Sequence, residues 1–225
     1  MTISVDLIIV PQGAEAKAVK SGLQHCGLVD SPKIITIPIG SNNLTKTLTA
    51  HAQKLSTAKQ VIILGLCGSL NKSYGIGDTV AISSCHNQFQ QQVSLDPVLT
   101  AQIQQILSVD AVASLTSDRI ITQVKEKIEL GQQSRTSIVE MEGYYLVELL
   151  QQQGIAVAMV RVVSDDLTGN IPDLSQAVTP EGNLEPFPLA IAMIKQPRAA
   201  ISLIKGSLRG LKALKQATVR LFSNF

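Results

Sequence analysis

The stretch 137–166 limits most strongly what this chain can fold into. It begins with two carboxylates, Glu140 and Glu142, and apolar residues then recur at helical spacing. This spacing predicts a helix that ends near Gly154, because glycine adopts the left-handed conformation at little cost. The β-branched run 155–163 then predicts a buried strand that two aspartates follow. A helix followed by a buried strand is typical of an α/β fold.

Polar or glycine-containing turns follow four of the predicted strands. These turns are 11–15, 65–69, 117–119 and 164–166. Strands that alternate with helices favour a mainly parallel sheet, and right-handed connections would bring all four turns to one edge of it. Ligands bind at that edge in open α/β sheets. We therefore expect Glu15, Glu142 and Asp165 to lie near a single site.

The composition favours one α/β domain over residues 1–225, since a chain of 225 residues with 45% apolar residues can bury a full core. Three cysteines without metal-ligand spacing fit a reduced cytoplasm, and neither a secretory leader nor a membrane-spanning apolar run is evident. The absence of tryptophan and an aromatic content of 3% argue against base-stacking surfaces for nucleic acid.

The charge is distributed unevenly along the chain. Residues 195–225 carry seven basic side chains and no acidic one, whereas the remaining residues carry 12 basic and 17 acidic side chains. The spacing predicts a helix over 197–221 with a basic stripe beside a broad apolar arc. Two interpretations stay open: a helix packed on the sheet with its basic side chains at the surface, or an amphipathic face that contacts an anionic membrane. Before this helix, the proline-rich loop 167–188 is predicted to act as a mobile lid.

Several of these turns resemble one enzyme superfamily. The strings IVEMEG (138–143) and RVVSD (161–165) are similar to those of the purine nucleoside phosphorylase and nucleosidase superfamily, which includes the methylthioadenosine/S-adenosylhomocysteine nucleosidases. The resemblance covers about residues 4–170, and the chain's layout is most similar to a bacterial branch that includes hopanoid-associated phosphorylase-like proteins. It implies a three-layer α/β/α sandwich around a mixed, mainly parallel sheet that partly closes on itself. It also implies a homo-oligomer, with a dimer favoured.

The resemblance further implies cleavage of the N-glycosidic bond of a purine nucleoside or a related ribosyl compound. This reaction builds positive charge on the sugar and electron density on the departing base. Asp165 would protonate the base at N7 or hold the proton there, and Glu142 would accept hydrogen bonds from the ribose hydroxyls. Glu15 would activate the attacking water as a general base.

Other residues are expected to complete this site. Met141 would pack under the ribose, Arg161 would pair with one of the acids and orient it, and Ser164 would hold Asp165 in place. Glu140 is expected mainly as a structural partner. Three more residues would lie at the edge of the site, the last where the family carries an aromatic residue that stacks on the base: Cys67, Gly68 and Ile120. Cys67 is also weighed as a nucleophile, but no histidine lies near it in sequence.

Two departures from the family favour water over phosphate as the nucleophile. Where the phosphorylases carry an arginine and a serine for phosphate, this chain has Ile63 and Leu66, and segment 11–17 contains no arginine. Hydrolysis is therefore expected ahead of phosphorolysis, with phosphate kept as a possible co-substrate and no metal or other cofactor predicted. The alternative is a nucleoside-binding or regulatory protein that kept the fold without turnover.

Overall fold

A computed structural model describes residues 3–28, 30–174, 177, 179 and 185–223. Within them, eight strands form one sheet: β1 (Leu7–Pro11), β2 (Lys33–Ile37), β3 (Gln60–Ser69), β4 (Thr79–His86), β5 (Gln92–Ser94), β6 (Ala111–Thr116), β7 (Ile138–Glu140) and β8 (Ala156–Asp165). The described helices are α1 (Ala14–Cys26), α2 (Leu44–Ala50), α3 (Ala52–Leu55), α4 (Pro97–Leu107), α5 (Val124–Ser134), α6 (Gly143–Gln151), α7 (Pro186–Lys195) and α8 (Pro197–Phe222).

The sheet closes on itself around five of its strands. Its order is β2-β1-β3-β7-β6-β4-β5, and β8 pairs with both β3 and β4, which completes a ring of β3, β7, β6, β4 and β8. Most pairings are parallel, while β7 on β3, β5 on β4 and β8 on β4 are antiparallel. Helices cover both sides. This architecture confirms the predicted α/β fold with a mixed, mainly parallel sheet that partly closes.

Two apolar clusters hold the sheet between its helices. Alternate residues of β3 face opposite sides: Ile63 packs in a cluster with Leu146 of α6, and Ile62 packs in a cluster with Val19 of α1 and Leu214 of α8. These side chains are almost fully buried, and each such burial is worth about 1.5–3 kcal/mol. The core therefore fixes the strand ends at which the polar turns begin.

The structure differs from the sequence prediction at the start of the central helix. The helical spacing predicts a helix that includes Met141, but Glu140 is the last residue of β7 and α6 begins at Gly143. The Glu140 carboxylate accepts the N–H groups of Glu142 and Gly143, which have no partner within the helix. Pairing of Glu140 with Thr116 on β6 keeps this segment in the sheet.

The predicted loop 167–188 is shorter than expected, because α7 begins at Pro186 and proline suits the first helical turn. Segments 175–176, 178 and 180–184 lie outside the described residues, so the prediction of a mobile lid falls partly outside them. Among the described helices, none alone is both long and apolar enough to cross a membrane; α7 and α8 meet that joint condition only together, as a pair bent by 119°.

The C-terminal helix packs closely on the end of β8. A Cβ atom on Gly206 would overlap the backbone carbonyl oxygen of Ser164, and one on Gly210 would lie 3.4 Å from Ser164 Cα. Glycine at these positions lets the helix backbone approach the strand directly. Leu203, one turn earlier on α8, forms part of the wall of the cavity described next.

Candidate active site

A cavity of about 220 Å³ lies where β1, β3 and β8 end. Nine of the ten residues predicted for the site line it: Glu15, Cys67, Gly68, Ile120, Glu140, Met141, Glu142, Ser164 and Asp165. The tenth, Arg161, lies behind the wall. A larger cavity of about 480 Å³ elsewhere along α8 has no acidic residue among its lining and contains none of the predicted residues. Of these two cavities, the smaller one therefore combines carboxylates with the predicted strand ends.

Arg161 organises the carboxylates from behind the cavity wall instead of lining it. Its side chain is fully buried, and Nη2 donates to Glu140 Oε2 at 2.7 Å and to Glu142 Oε2 at 3.4 Å. Burial alone would lower the pKa of Arg161, but the carboxylates of Glu140, Glu142 and Glu15 raise it on balance. Arg161 thus pairs with an acid, as expected from the sequence, and it does so with two acids from outside the cavity lining. A guanidinium in this position holds two carboxylates in fixed orientations.

Glu140 is held by hydrogen bonds from the protein itself. Its carboxylate accepts hydrogen bonds from the Thr116 hydroxyl, from Arg161 and from two backbone N–H groups, those of Glu142 at 3.0 Å and Gly143 at 2.6 Å. These four donors occupy most of its acceptor capacity. The Glu140 side chain therefore positions Arg161 and the turn before α6.

Glu142 has one carboxylate oxygen anchored on each side and lies at the cavity. Its Oε1 accepts the Gly40 N–H at 2.8 Å, and its Oε2 faces Arg161. Burial raises the pKa of Glu142, Arg161 opposes that shift, and the neighbouring Glu140 adds to it. A hydrogen bond from the Met141 backbone N–H also acts on this carboxylate, and three donors leave it acceptor capacity for a ligand hydroxyl.

Glu15 lies in the first turn of α1, where its Oε2 accepts the Leu66 N–H at 2.6 Å. Burial raises the pKa of Glu15 to about 7, even though Arg161 and the Leu66 N–H both act to lower it. Near neutral pH this carboxyl group is therefore divided between its protonated and ionised forms. A group with that property can accept a proton from water and release it again.

Asp165 contacts a residue that the sequence analysis missed. Its Oδ2 forms an ion pair with Nζ of Lys127, whose side chain is fully buried. Ser164 Oγ lies 3.2 Å from Asp165 Oδ1 on the other side, as predicted from the sequence. A Cβ atom on Gly68 would come within 2.8 Å of Asp165 Oδ2, so glycine leaves room for this carboxylate. Asp165 is thereby fixed between an ammonium group and a hydroxyl.

The position of Lys127 on α5 contains a signal that could have revealed it. Lys127 shares one helical face with Leu130, Gly131 and Ser134, at the i, i+3, i+4 and i+7 spacing. Gly131 on that face packs against the backbone of Leu70, so this face points into the protein. A lysine on a buried face requires a negative partner.

The neighbouring aspartate, Asp166, does not line the cavity. Its carboxylate accepts N–H groups from Ile76 at 3.3 Å and Thr168 at 2.9 Å. Burial acts to raise the pKa of Asp166, but these hydrogen bonds, together with the Thr168 hydroxyl, lower it overall. Asp166 thus closes the turn after β8.

The remaining walls of the cavity are largely apolar and include Leu66, Ile120, Met141, Leu174 and Leu203. Cys67 is buried, and burial raises the pKa of its thiol well above the usual range. Because the thiolate is the nucleophilic form, this environment argues against Cys67 as a nucleophile. The described residues contain no group of three or more His, Cys, Asp or Glu placed to hold a metal ion.

A third cavity, of about 360 Å³, adjoins the cavity of about 220 Å³ and shares part of its wall. The shared residues include Ile39, Ile120 and Met141, and the outer part adds Ser41 and Asn42. A ligand held by the carboxylates could therefore extend past Met141 into this space.

Comparisons with known proteins identify the family. The sequence has no significant match among curated proteins. Solved structures with the same fold include a 5′-methylthioadenosine/S-adenosylhomocysteine nucleosidase of Helicobacter pylori, with 16% identity, a TM-score of 0.69 and 94% of each chain covered. Futalosine hydrolase of the same species has 14% identity, a TM-score of 0.70 and coverage of 96% of this chain and 95% of its own.

An S-adenosylhomocysteine nucleosidase of Streptococcus pyogenes is similar over 97% of this chain and 96% of its own, with 15% identity and a TM-score of 0.71. At these identities the structural likeness establishes the fold. The sequence family described as the phosphorylase superfamily matches residues 13–183, well over half of the chain. The resemblance seen in the sequence is thereby confirmed, and the chain belongs to the phosphorylase superfamily.

Proposed function

We propose that this protein hydrolyses the N-glycosidic bond of a purine nucleoside or a related ribosyl compound. The observation that carries the proposal is that Glu15, Glu142 and Asp165 line one cavity in three different electrostatic environments. Family membership supports the same reaction class. Each environment suits one part of the reaction.

The sugar would be held at Glu142. Its carboxylate oxygens can accept hydrogen bonds from the ribose 2′ and 3′ hydroxyls while Gly40 and Arg161 keep it oriented. As the bond to the base breaks, positive charge develops on the sugar, and a nearby carboxylate stabilises that charge. Met141 forms the adjacent apolar wall for the ribose ring.

The base would be protonated on the side of Asp165. When the glycosidic bond breaks, its electron pair moves onto the base, and the base nitrogen takes a proton from Asp165. Lys127, in contact with Asp165 from the buried side, would stabilise the negative charge that Asp165 gains when it gives this proton to the base. We therefore assign Asp165 the role of the acid and Lys127 a positioning role beside it.

Water would be activated by Glu15. The water oxygen bonds to C1′ of the sugar as its proton moves to the Glu15 carboxylate, and the products are the free base and the free sugar. A base with a pKa of about 7 is well matched to this task at neutral pH.

Charge favours water over phosphate in this cavity. Among the described residues near it, Arg161, Lys127 and Arg119 each already contact a carboxylate: Glu140 and Glu142, Asp165, and Glu126. A phosphate dianion would instead face Glu15, Glu142 and Asp165. Each unit of like charge at 4 Å costs roughly 4 kcal/mol at an effective dielectric constant of 20. Neutral water carries no such penalty.

One observation favours the alternative of a nucleoside-binding protein without turnover. Asp165 is in contact with a buried ammonium group, and a carboxylate in such a pair can serve as a hydrogen-bond acceptor for a bound base instead of donating a proton. Measuring nucleoside binding and release of the base separately distinguishes this alternative from an enzyme.

The test incubates the purified chain with adenosine, inosine, methylthioadenosine or S-adenosylhomocysteine, each with and without phosphate. Chromatography identifies the products. We expect free base and free sugar, at a rate that phosphate does not change. A sugar 1-phosphate as the product would overturn hydrolysis. Saturable nucleoside binding without any release of base would overturn the proposal of an enzyme.

A further inference from the structure

Apolar side chains are exposed along α7 and the first half of α8. Six large ones lie there, and we call them together the apolar face: Phe187, Ile191, Ile194, Ile201, Ile204 and Leu208. Phe187 and Ile194 are 76% and 78% exposed. Elsewhere in the described part of the chain, only Phe89 and Val98 are large, apolar and exposed. A concentration of this kind marks an interaction surface.

The apolar face is distinct from the side of α8 that packs on the protein. Ile201, Ile204 and Leu208 lie at the i, i+3 and i+7 spacing of one helical stripe and are half exposed or more. Gly206 and Leu214 lie on the other side of the helix and are buried. The helix is thus apolar on both its inner and outer sides, and the core accounts only for the inner one.

Positive charge surrounds the apolar face. The segment 187–223 contains seven lysines and arginines and no acidic residue. Arg198 and Lys205 lie one turn before and one turn after Ile201, and both are exposed. Among the described residues, no carboxylate forms an ion pair with either of them. The rest of the chain has an excess of acidic residues, so the excess of positive charge lies in this segment of the sequence.

We propose that the apolar face docks on the surface of an anionic membrane. Lipid headgroups would neutralise the exposed lysines and arginines, while the apolar side chains enter the boundary of the acyl layer. A second copy of the chain is a poorer partner, because a two-fold interface would bring the two sets of cations together. Two helices bent by 119° can both lie in the plane of the interface.

The membrane face and the cavity share one helix. Leu203, between Ile201 and Ile204 in sequence, lines the candidate active site. A chain docked through the apolar face would hold this wall of the cavity close to the lipid. The docking itself does not depend on the reaction proposed above.

Co-sedimentation of the full chain with vesicles tests the proposal. We compare vesicles of phosphatidylcholine alone with vesicles that also contain phosphatidylglycerol. We expect binding only with the anionic lipid, and binding that weakens as salt is added, since exposed charges are screened. Equal binding to both kinds of vesicle, or none to either at low salt, would overturn it.

Two pairs of substitutions and one control locate the surface. Ile204→Ser with Leu208→Ser should abolish vesicle binding, and Arg198→Glu with Lys205→Glu should weaken it roughly tenfold or more. Val98→Ser removes an equally exposed apolar side chain on α4 and should leave binding unchanged. Thermal unfolding verifies that each variant folds.

Sedimentation velocity without vesicles tests the competing occupant. If wild type is a dimer that Ile204→Ser with Leu208→Ser converts to a monomer, the apolar face is covered by a second copy and the membrane proposal is wrong. An unchanged assembly state together with lost vesicle binding supports the membrane proposal.

Discussion

Lys127 and Asp165 form an ion pair in which the ammonium group is fully buried and the carboxylate forms part of the cavity wall. The pair joins helix α5 to the end of β8, two elements that lie far apart in sequence. It brings a charge that sequence motifs did not reveal into contact with the residue proposed to protonate the base.

Asp165→Asn should lower turnover by about 10²–10⁴, because an amide cannot serve as the acid. It should also destabilise the protein by about 3–5 kcal/mol, since Lys127 would keep a buried charge without its partner. Denaturant unfolding and steady-state kinetics measure the two effects separately. Unchanged turnover in a folded variant would contradict the assignment.

The double variant Lys127→Met with Asp165→Asn separates structure from chemistry. Removing both charges should recover most of the lost stability, because no unpaired charge remains buried. Turnover should stay as low as in Asp165→Asn alone, since residues that act as a unit are not additive. Recovery of turnover together with stability would show that Asp165 is only structural.

Lys127→Met alone should lower kcat by about 10²–10³, the range seen when one group that stabilises developing charge is removed. KM should change little, because Lys127 lies behind Asp165 and is not among the residues that line the cavity. Initial rates over a range of nucleoside concentrations give both constants. A large rise in KM at unchanged kcat would move Lys127 to a binding role.

Glu142→Gln should reduce kcat/KM about 10- to 100-fold, since hydrogen bonds to a charged group are worth about 1.5–3 kcal/mol. The matched control is Glu129→Gln, which changes an exposed carboxylate on α5 and should leave kinetics unaltered. Normal kinetics in Glu142→Gln would place the ribose elsewhere.

As the pH rises, ionisation of Glu15 should increase the activity and decrease the stability of the protein. Activity should increase through about pH 7 as the carboxyl group ionises. Stability should fall between about 4.5 and 7, because in this window the folded state holds a proton that the unfolded chain releases. The difference between the pKa values of Glu15 in the folded and unfolded states corresponds to a loss of up to about 3 kcal/mol in the free energy of unfolding.

Glu15→Gln should therefore abolish the rise in activity with pH and raise stability above pH 7. Unfolding curves at pH 5 and pH 8 compare the variant with wild type. If the variant and wild type lost the same stability between pH 5 and pH 8, Glu15 would not be the group that causes the pH dependence.

Gly65→Ala should cost about 1–3 kcal/mol and lower activity, because a Cβ atom there would overlap Arg161 Nη1 and lie 2.9 Å from Glu15 Oε2. Gly169→Ala is the matched control, since a Cβ atom at that position meets nothing within 4 Å. Equal stability of the two variants would contradict the close packing of Arg161 against β3.

The cavity could be foreseen because its residues lie at strand ends. Glu15, Cys67, Ile120 and Asp165 lie at or just beyond the ends of four different strands, and a mainly parallel sheet brings such ends together. The apolar runs that define the strands are a local signal. The position of a strand end therefore predicted the position of the side chains after it.

Features that depend on distant pairing were not foreseen. Strand β7 has three residues, and its pairing with β3 and β6 places Glu140 in the sheet, whereas the local spacing predicts a helix nearby. Lys127 belongs to a charged helix, and its partner Asp165 lies 38 residues away in sequence. The place of Arg161 behind the cavity wall likewise depends on its pairing with Glu140, 21 residues away.

The contact between Gly206 and the carbonyl of Ser164 places α8 directly against the end of β8, next to Asp165. With no side chain between them, a shift of the helix would displace the strand end that bears the Asp165 carboxylate. If docking on lipid changes the affinity of the cavity for a nucleoside, a bound nucleoside must change the affinity for lipid by the same factor. A single backbone contact would then link where the protein resides to whether its pocket is filled.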